Sequence, residues 1–354
     1  MNTIQTYTDE AVRLLQSLIR IPSVSRDEGR AADQLEQAIR HYGLIPQRIG
    51  NNILLDERCE GDSRPVVLLN AHIDTVKPVS SWTRDPFAPT LDGDCLYGLG
   101  SNDCGGGLVS LLQVYRYFRA HECPYHLVYL ASAEEEVSGA NGFSLALPQL
   151  PKIDVAVVGE PTGMQPAIAE KGLMVLDVTA HGLSGHAARQ EGVNAIYEAL
   201  DDLNWLRQYR FQRVSEFLGQ TLMNVTVVHA GTQHNVVPDR CEMTVDVRTN
   251  ELYTNDEVLD FIQSHLKSEV RARSTRLQPS RIDPAHPLVR RCVAMGMTPF
   301  GSPTLSDQAL MPFPSMKLGP GQSARSHSAD EYILVSEIAH AIETYIGVLG
   351  YVAM

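Results

Sequence analysis

The sequence predicts an α/β fold: a mixed sheet flanked by helices, interrupted by an inserted α+β domain of ferredoxin-like order. Three observations predict it. Short, wholly apolar runs recur early in the chain, and each ends directly in an acid or a histidine. Helical-period segments lie between them. Over residues 166–281 the pattern changes to alternating strands with two helices, and from about residue 282 the first pattern returns. The expected organisation is a discontinuous first domain, 1–165 and 282–354, with 166–281 inserted.

Residues 9–20 place Val12, Leu15, Leu18 and Ile19 on one helical face, and Ile21-Pro22 stops that helix. Ser25 and Glu28 fit a capping box that opens a second helix ending near Gly43. Residues 53–55 and 65–69 read as strands, the second buried on both faces. Residues 91–97 read as a hairpin whose two aspartates are turn residues. A glycine-rich loop, 98–107, precedes a buried helix over 108–117. It lacks the G-K-[ST] of a phosphate loop and ends in an acid, so it reads as a tight turn presenting Asp103. Strands follow at 126–133 and 153–158. In the inserted region, strands at 171–180, 221–229, 240–248 and 268–277 alternate with helices at 194–205 and 255–266. A strand at 315–318 and a helix at 334–349 close the chain.

Composition narrows the function. At 354 residues the chain has room for about two domains. A net charge of −13 argues against nucleic acid and anionic membranes as partners. No apolar run approaches the ~18 residues that span a bilayer. The first ten residues lack the basic and apolar regions of a signal peptide. The six cysteines, Cys59, Cys95, Cys104, Cys123, Cys241 and Cys292, form no C-x-x-C pair. Together these features lead us to expect a cytoplasmic protein with reduced thiols.

Four strand-and-loop units in succession deliver an acid or a histidine, the glycine-rich loop with Asp103 being one, and open α/β sheets place their chemistry at that end. His72 and Asp74 close the first; Glu134-Glu135-Glu136 and Glu160 close two others. Three adjacent acids after a core strand are costly to gather unless something positive neutralises them. The candidate ligands are His72, Asp103, Glu136, Glu160 and His327. Imidazole and carboxylate donors without thiolate suit Zn²⁺, Co²⁺ or Mn²⁺. Two divalent ions carry four positive charges, which three carboxylates and one hydroxide balance.

The chain resembles the M20 dinuclear-zinc peptidases and amidohydrolases. The resemblance rests on His72-Ile73-Asp74, Gly98-x-Gly100-x-x-Asp103, Glu135-Glu136, Gly159-Glu160-Pro161-Thr162, Ser184-Gly185-His186-Ala187, and Gly319-Pro320-Gly321 with His327. These motifs run in family order over nearly the whole chain, and the acetylornithine deacetylase and succinyl-diaminopimelate desuccinylase branch is the most similar. The resemblance implies a zinc-peptidase-like catalytic domain and an inserted lid and dimerisation domain. It implies that His72 and Glu160 hold one ion, Glu136 and His327 the other, and Asp103 bridges. Glu135 matches the general base and Asp74 the partner of His72. His186 matches a histidine that reaches a dimer partner's site; a structural loop histidine is the alternative. The family's cis peptide falls at Asp103–Cys104. Cys104 and Gly105 depart from the usual Met-Lys, and Cys104 is not expected to be a ligand. Glu134 is given no catalytic role.

The implied reaction is hydrolysis of the amide of an N-acyl amino acid, most closely N-acetyl- or N-succinyl-ornithine in arginine biosynthesis. Alternatives are succinyl-diaminopimelate desuccinylation and dipeptide or aminoacylase chemistry. A substrate carboxylate calls for a guanidinium. Arg248 matches the family's substrate-side arginine, or else pairs with Asp246 at its strand end. Asn235 matches an asparagine near the active site, or else a turn residue. Lys317 and Arg325 could serve instead.

Overall fold

The computed structural model describes residues 3–58, 61–189 and 191–350. Cys59, and Met1 and Asn2 of the N-terminal stretch, lie outside the described residues. The chain forms two compact units. The first comprises the described residues of Met1–Ile168, Ile282–Phe300 and Ser306–Met354; the second is Ala169–Arg281 with Gly301–Leu305.

The first unit is built on a mixed sheet running Gln47–Ile49, Asn52–Leu55, His126–Ser132, Val66–His72, Val155–Val158, Ser315–Lys317. The first two junctions are antiparallel and the next three parallel. Val66–His72 and His126–Ser132 are buried at every position, which is why their sequences read as continuous apolar runs. Register sets the functional end. His72 lies opposite Ser132, Asn70 opposite Val158, and Lys317 opposite Val158. Four parallel strands therefore finish close to level, and the loops that follow leave from one edge. The helices Thr3–Ile19, Gly106–Arg119 and Val335–Leu349 pack together. A small antiparallel sheet joins Thr90–Asp92, Cys95–Tyr97 and Tyr332–Leu334.

The second unit is an antiparallel four-stranded sheet, ordered Leu222–Ala230, Arg240–Arg248, Met174–His181, Glu269–Ala272. Helices Ala195–Gln208 and Asn255–His265 complete a β-α-β-β-α-β order, the ferredoxin-like arrangement. Met174–His181 alternates buried and part-exposed residues, as one covered face requires. Val178, Val245, Ala199 and Ile262 form part of the core under the helices.

Three local expectations change. The Ser25–Glu28 capping box does not form. The helix is Gly29–His41 with Glu28 at its N-cap and no side-chain cap. Ser25 Oγ instead donates to Asp74 Oδ2 at 2.7 Å, because the carboxylate of Asp74 is buried and needs donors. The strand expected over 171–180 is preceded by a separate strand, Ala167–Glu170, with Gly172 between them. The helix Pro287–Ala294, opened by His286 Nδ1 accepting from Leu288 N–H at 3.2 Å, gave too short an apolar pattern to be read.

Candidate metal centre

Each candidate ligand owes its position to a strand end or a tied loop. His72 is the last residue of its strand, and its ring Nδ1 lies 2.8 Å from the backbone oxygen of Asp74. That contact fixes the proton on Nδ1 and turns Nε2 toward the pocket. The expectation that the Asp74 carboxylate holds the ring is altered: its nearer oxygen is 3.7 Å from Nδ1. The carboxylate instead accepts the backbone N–H groups of Glu135 and Glu136 at 3.0 and 3.2 Å. Asp74 thus joins the His72 strand end to the Glu135-Glu136 turn.

Asp103 occupies the middle. Its Oδ1 lies 3.2 Å from His72 Nε2, and its Oδ2 lies 3.6 Å from His327 Nε2. His72 Nε2 is also 3.6 Å from Glu160 and 3.9 Å from Glu135. His327 Nε2 is 3.0 Å from Glu136 Oε2. Donor atoms of Asp103, Glu136 and His327 all fall within 4.8 Å of one another, the spacing of ligands around one ion. His72 therefore lies beside Asp103 and Glu160, Asp103 groups with Glu136 and His327, and donor atoms of His72 also fall in range of Glu135 and Glu136. The Asp103–Cys104 peptide is cis. Close backbone packing explains the glycine run: a Cβ on Gly107 would stand 1.8 Å from the oxygen of Gly159, the residue before Glu160.

The electrostatics of these donors on their own are unfavourable. Burial, with Asp103 and Glu136 nearby, pushes Glu160 up to about 8. Burial also raises Glu135 well above the carboxylate range, with Glu160, Asp307 and Glu136 adding to the shift against the pull of His72. The hydrogen bond to Glu136 raises His327 to about 9. Glu135, Glu160, His72 and His327 are all shifted toward holding their protons, and a pair of divalent cations would replace those protons. The donor set fits such a pair.

Cys104 Sγ also comes within range of His72 and Glu160. It accepts the His72 backbone N–H at 3.1 Å, and burial pushes its thiol up, so it packs beneath the site as a protonated thiol. Glu134 accepts from Asn141 N and Nδ2 at 3.2 and 2.9 Å, which closes its own loop.

His186, Asn235 and Arg248 lie in the second unit. His186 is exposed, and its Nδ1 accepts from Ala188 N–H at 3.1 Å. The backbone oxygen of Asn235 accepts from Ala187 N–H at 3.1 Å. Arg248 makes a bidentate contact with Asp246 at 2.9 and 3.1 Å. In the first unit, Arg325 is committed to Glu337 at 2.7 Å and stacks over Tyr332, which makes it a structural cation. Lys317 is almost fully buried.

Two acids near the centre escaped the sequence reading. Asp307, buried, accepts from Ser132 Oγ at 2.5 Å. Glu331, also buried, sits at the edge of the Asp103 turn. Neither carries a motif; each reads in sequence as a solvated turn acid.

A model of the M20 peptidase dimerisation domain matches residues 168–274, and a model of peptidase family M28 matches residues 54–182. An acetylornithine deacetylase of Pectobacterium carotovorum is 31% identical over 312 residues, covering 79% of this chain and 81% of that protein. Aminopeptidase PepT of Bacillus cereus is 17% identical with a TM-score of 0.76, over 97% of this chain and 98% of that one. A dinuclear metal-binding peptidase of the M20 family from Bacillus subtilis is 16% identical with a TM-score of 0.72, over 98% of each chain. The chain belongs to the M20 family of metal-dependent amide hydrolases.

Proposed function

We propose that this protein binds two divalent ions, Zn²⁺ in the first instance, and hydrolyses the amide of an N-acyl-L-amino acid. The observation that carries the proposal is Asp103, one of whose oxygens lies near His72 and the other near His327. His72 and Glu160 would hold one ion, and Glu136 and His327 the other. Bound there, the pair would polarise the acyl carbonyl and lower the pKa of an attacking water.

Glu135 is the general base. Its backbone N–H is anchored on Asp74, and its carboxylate stands 3.9 Å from His72 Nε2, close beside the ligands. It takes the proton of the water and passes it to the departing amine nitrogen. His186 donates to the oxyanion, in a site completed by a second copy of the chain. The long edge strand Leu222–Ala230 supports a homodimer: it leaves Leu222, Val227 and Val228 exposed. Arg248 receives the substrate's α-carboxylate, sharing its guanidinium with Asp246, and Asn235 orients the amide.

The preferred substrate is N-acetyl- or N-succinyl-ornithine, which would place the enzyme in arginine synthesis, by likeness to the acetylornithine deacetylase above. Turnover on a panel of N-acetyl-ornithine, N-succinyl-ornithine, N-succinyl-diaminopimelate and a simple dipeptide tests this. Preference for either ornithine derivative supports the reading. Preference for the dipeptide or the diaminopimelate derivative overturns the substrate, and no hydrolysis of any by the Zn²⁺-loaded protein overturns the reaction. Among the described residues no helix is long and apolar enough to cross a membrane.

A further inference from the structure

Glu331 has a larger task than its neighbours. Its carboxylate accepts three backbone N–H groups from one turn: Gly100 at 3.1 Å on Oε2, and Asn102 and Asp103 at 2.8 and 3.0 Å on Oε1. Its own backbone oxygen accepts from Gly98 N–H at 3.0 Å. The turn so held ends at Asp103, the residue whose oxygens divide between the two histidines.

The same turn also grips the loop that carries His327. Asn102 Nδ2 donates to Gln322 O at 3.1 Å and to Ser326 Oγ at 3.2 Å, and Asn102 Oδ1 accepts from Gln322 N–H at 2.9 Å. Gly321 permits this approach: a Cβ there would stand 2.2 Å from Asn102 Oδ1. One buried acid therefore fixes the amides on both sides of the residue that clasps the His327 loop.

The number of donors explains why an acid is used. A carboxylate offers about four lone-pair sites and no donor, so it can take three converging N–H groups at once. An amide at this place would turn its NH₂ against one of them. The negative charge costs burial and repels Asp103, a cost that nearby cations would offset.

We propose that Glu331 is a positioning residue for the shared ligand: it sets Asp103 between the two ion sites and, through Asn102, holds His327 to the same frame. This rests on the two-ion reading above. The partners that orient metal ligands typically contribute about 10–100-fold to metal affinity.

The test is titration of metal-free wild type and Glu331→Gln with Co²⁺, followed by visible absorption. The metal-free melting temperature is measured beside it. The proposal expects Glu331→Gln to weaken the second Co²⁺ about 10–100-fold and to change the shape of the absorption band, whether or not the metal-free melting temperature also falls. Identical Co²⁺ affinities and spectra overturn it. So does a drop in the metal-free melting temperature with Co²⁺ binding intact, the mark of a purely structural acid. If Glu331→Gln does not fold, Asn102→Ala carries the test: weaker binding of the second ion supports the clasp, and wild-type binding refutes it. Wild type that binds fewer than two Co²⁺ ions sinks the two-ion reading itself. Wild type binding two, with an unaffected variant, sinks only the role of Glu331.

Discussion

The candidate residues of the two units are held in different ways. In the first unit, residues far apart in sequence converge: His72 meets Asp103, and His327 meets Glu136 across 191 positions of chain. In the second, His186 bonds two residues onward and Arg248 two residues back. The first set is brought together by the fold itself, and that convergence of acids and imidazoles argues for cations. The second set is locally bonded and partly exposed, and its assignment rests on motif. Positions that must receive a substrate are expected to stay open, whereas those that grip an ion are expected to be built in advance.

The sharpest way to separate the two is at the base. Glu135→Ala should lower kcat by about 10²–10⁴-fold while both ions stay bound. Metal analysis beside the rate decides it: loss of metal would place Glu135 among the ligands, and near-normal turnover would leave it no role. His186→Ala should lower kcat by about 10²-fold with metal content untouched. Loss of metal from that variant would move His186 into the first set and break the contrast. Arg248→Ala should raise KM roughly tenfold, the scale of one charge-assisted contact, with little change in kcat. An unchanged KM would leave Arg248 as the partner of Asp246 and nothing more.

A smaller effect follows from protons. Glu160 stands near 8 rather than 4.5, and His327 near 9 rather than 6.5. Both values are raised in the folded, metal-free chain, so over this range it holds more protons than the unfolded chain. The stability that these two groups contribute without metal is therefore lost as pH rises from about 4.5 to 9. Ions compete for those proton sites, so affinity gains over the same interval. The rise in melting temperature on adding Zn²⁺ should be larger at pH 8 than at pH 6. Equal gains at both would show that these groups do not bind the ion.

Much of this was legible in the sequence, for reasons that differ by element. Strand ends such as His72 and Glu160 were readable because parallel strands are apolar on both faces and stop abruptly at polar residues. The bounds of Arg240–Arg248 were readable because its period-two alternation is enforced by a core on one face. The Ser25 cap was misread because a buried carboxylate far along the chain competed for the same hydroxyl. Glu331 and Asp307 were invisible for a related reason: an acid in a turn looks solvated until the fold shows three amides or a buried hydroxyl aimed at it. Local pattern records which face is covered. It does not record which distant groups will need a partner.

The proposed chemistry turns on one carboxylate, Asp103, shared by two ions. Calorimetric titration of the metal-free protein with Zn²⁺, repeated on Asp103→Ala, addresses it directly. The account predicts two equivalents per chain in the wild type and weakening of both in the variant. One equivalent in the wild type, or an Asp103→Ala variant that still takes up two ions at wild-type affinity, would contradict it.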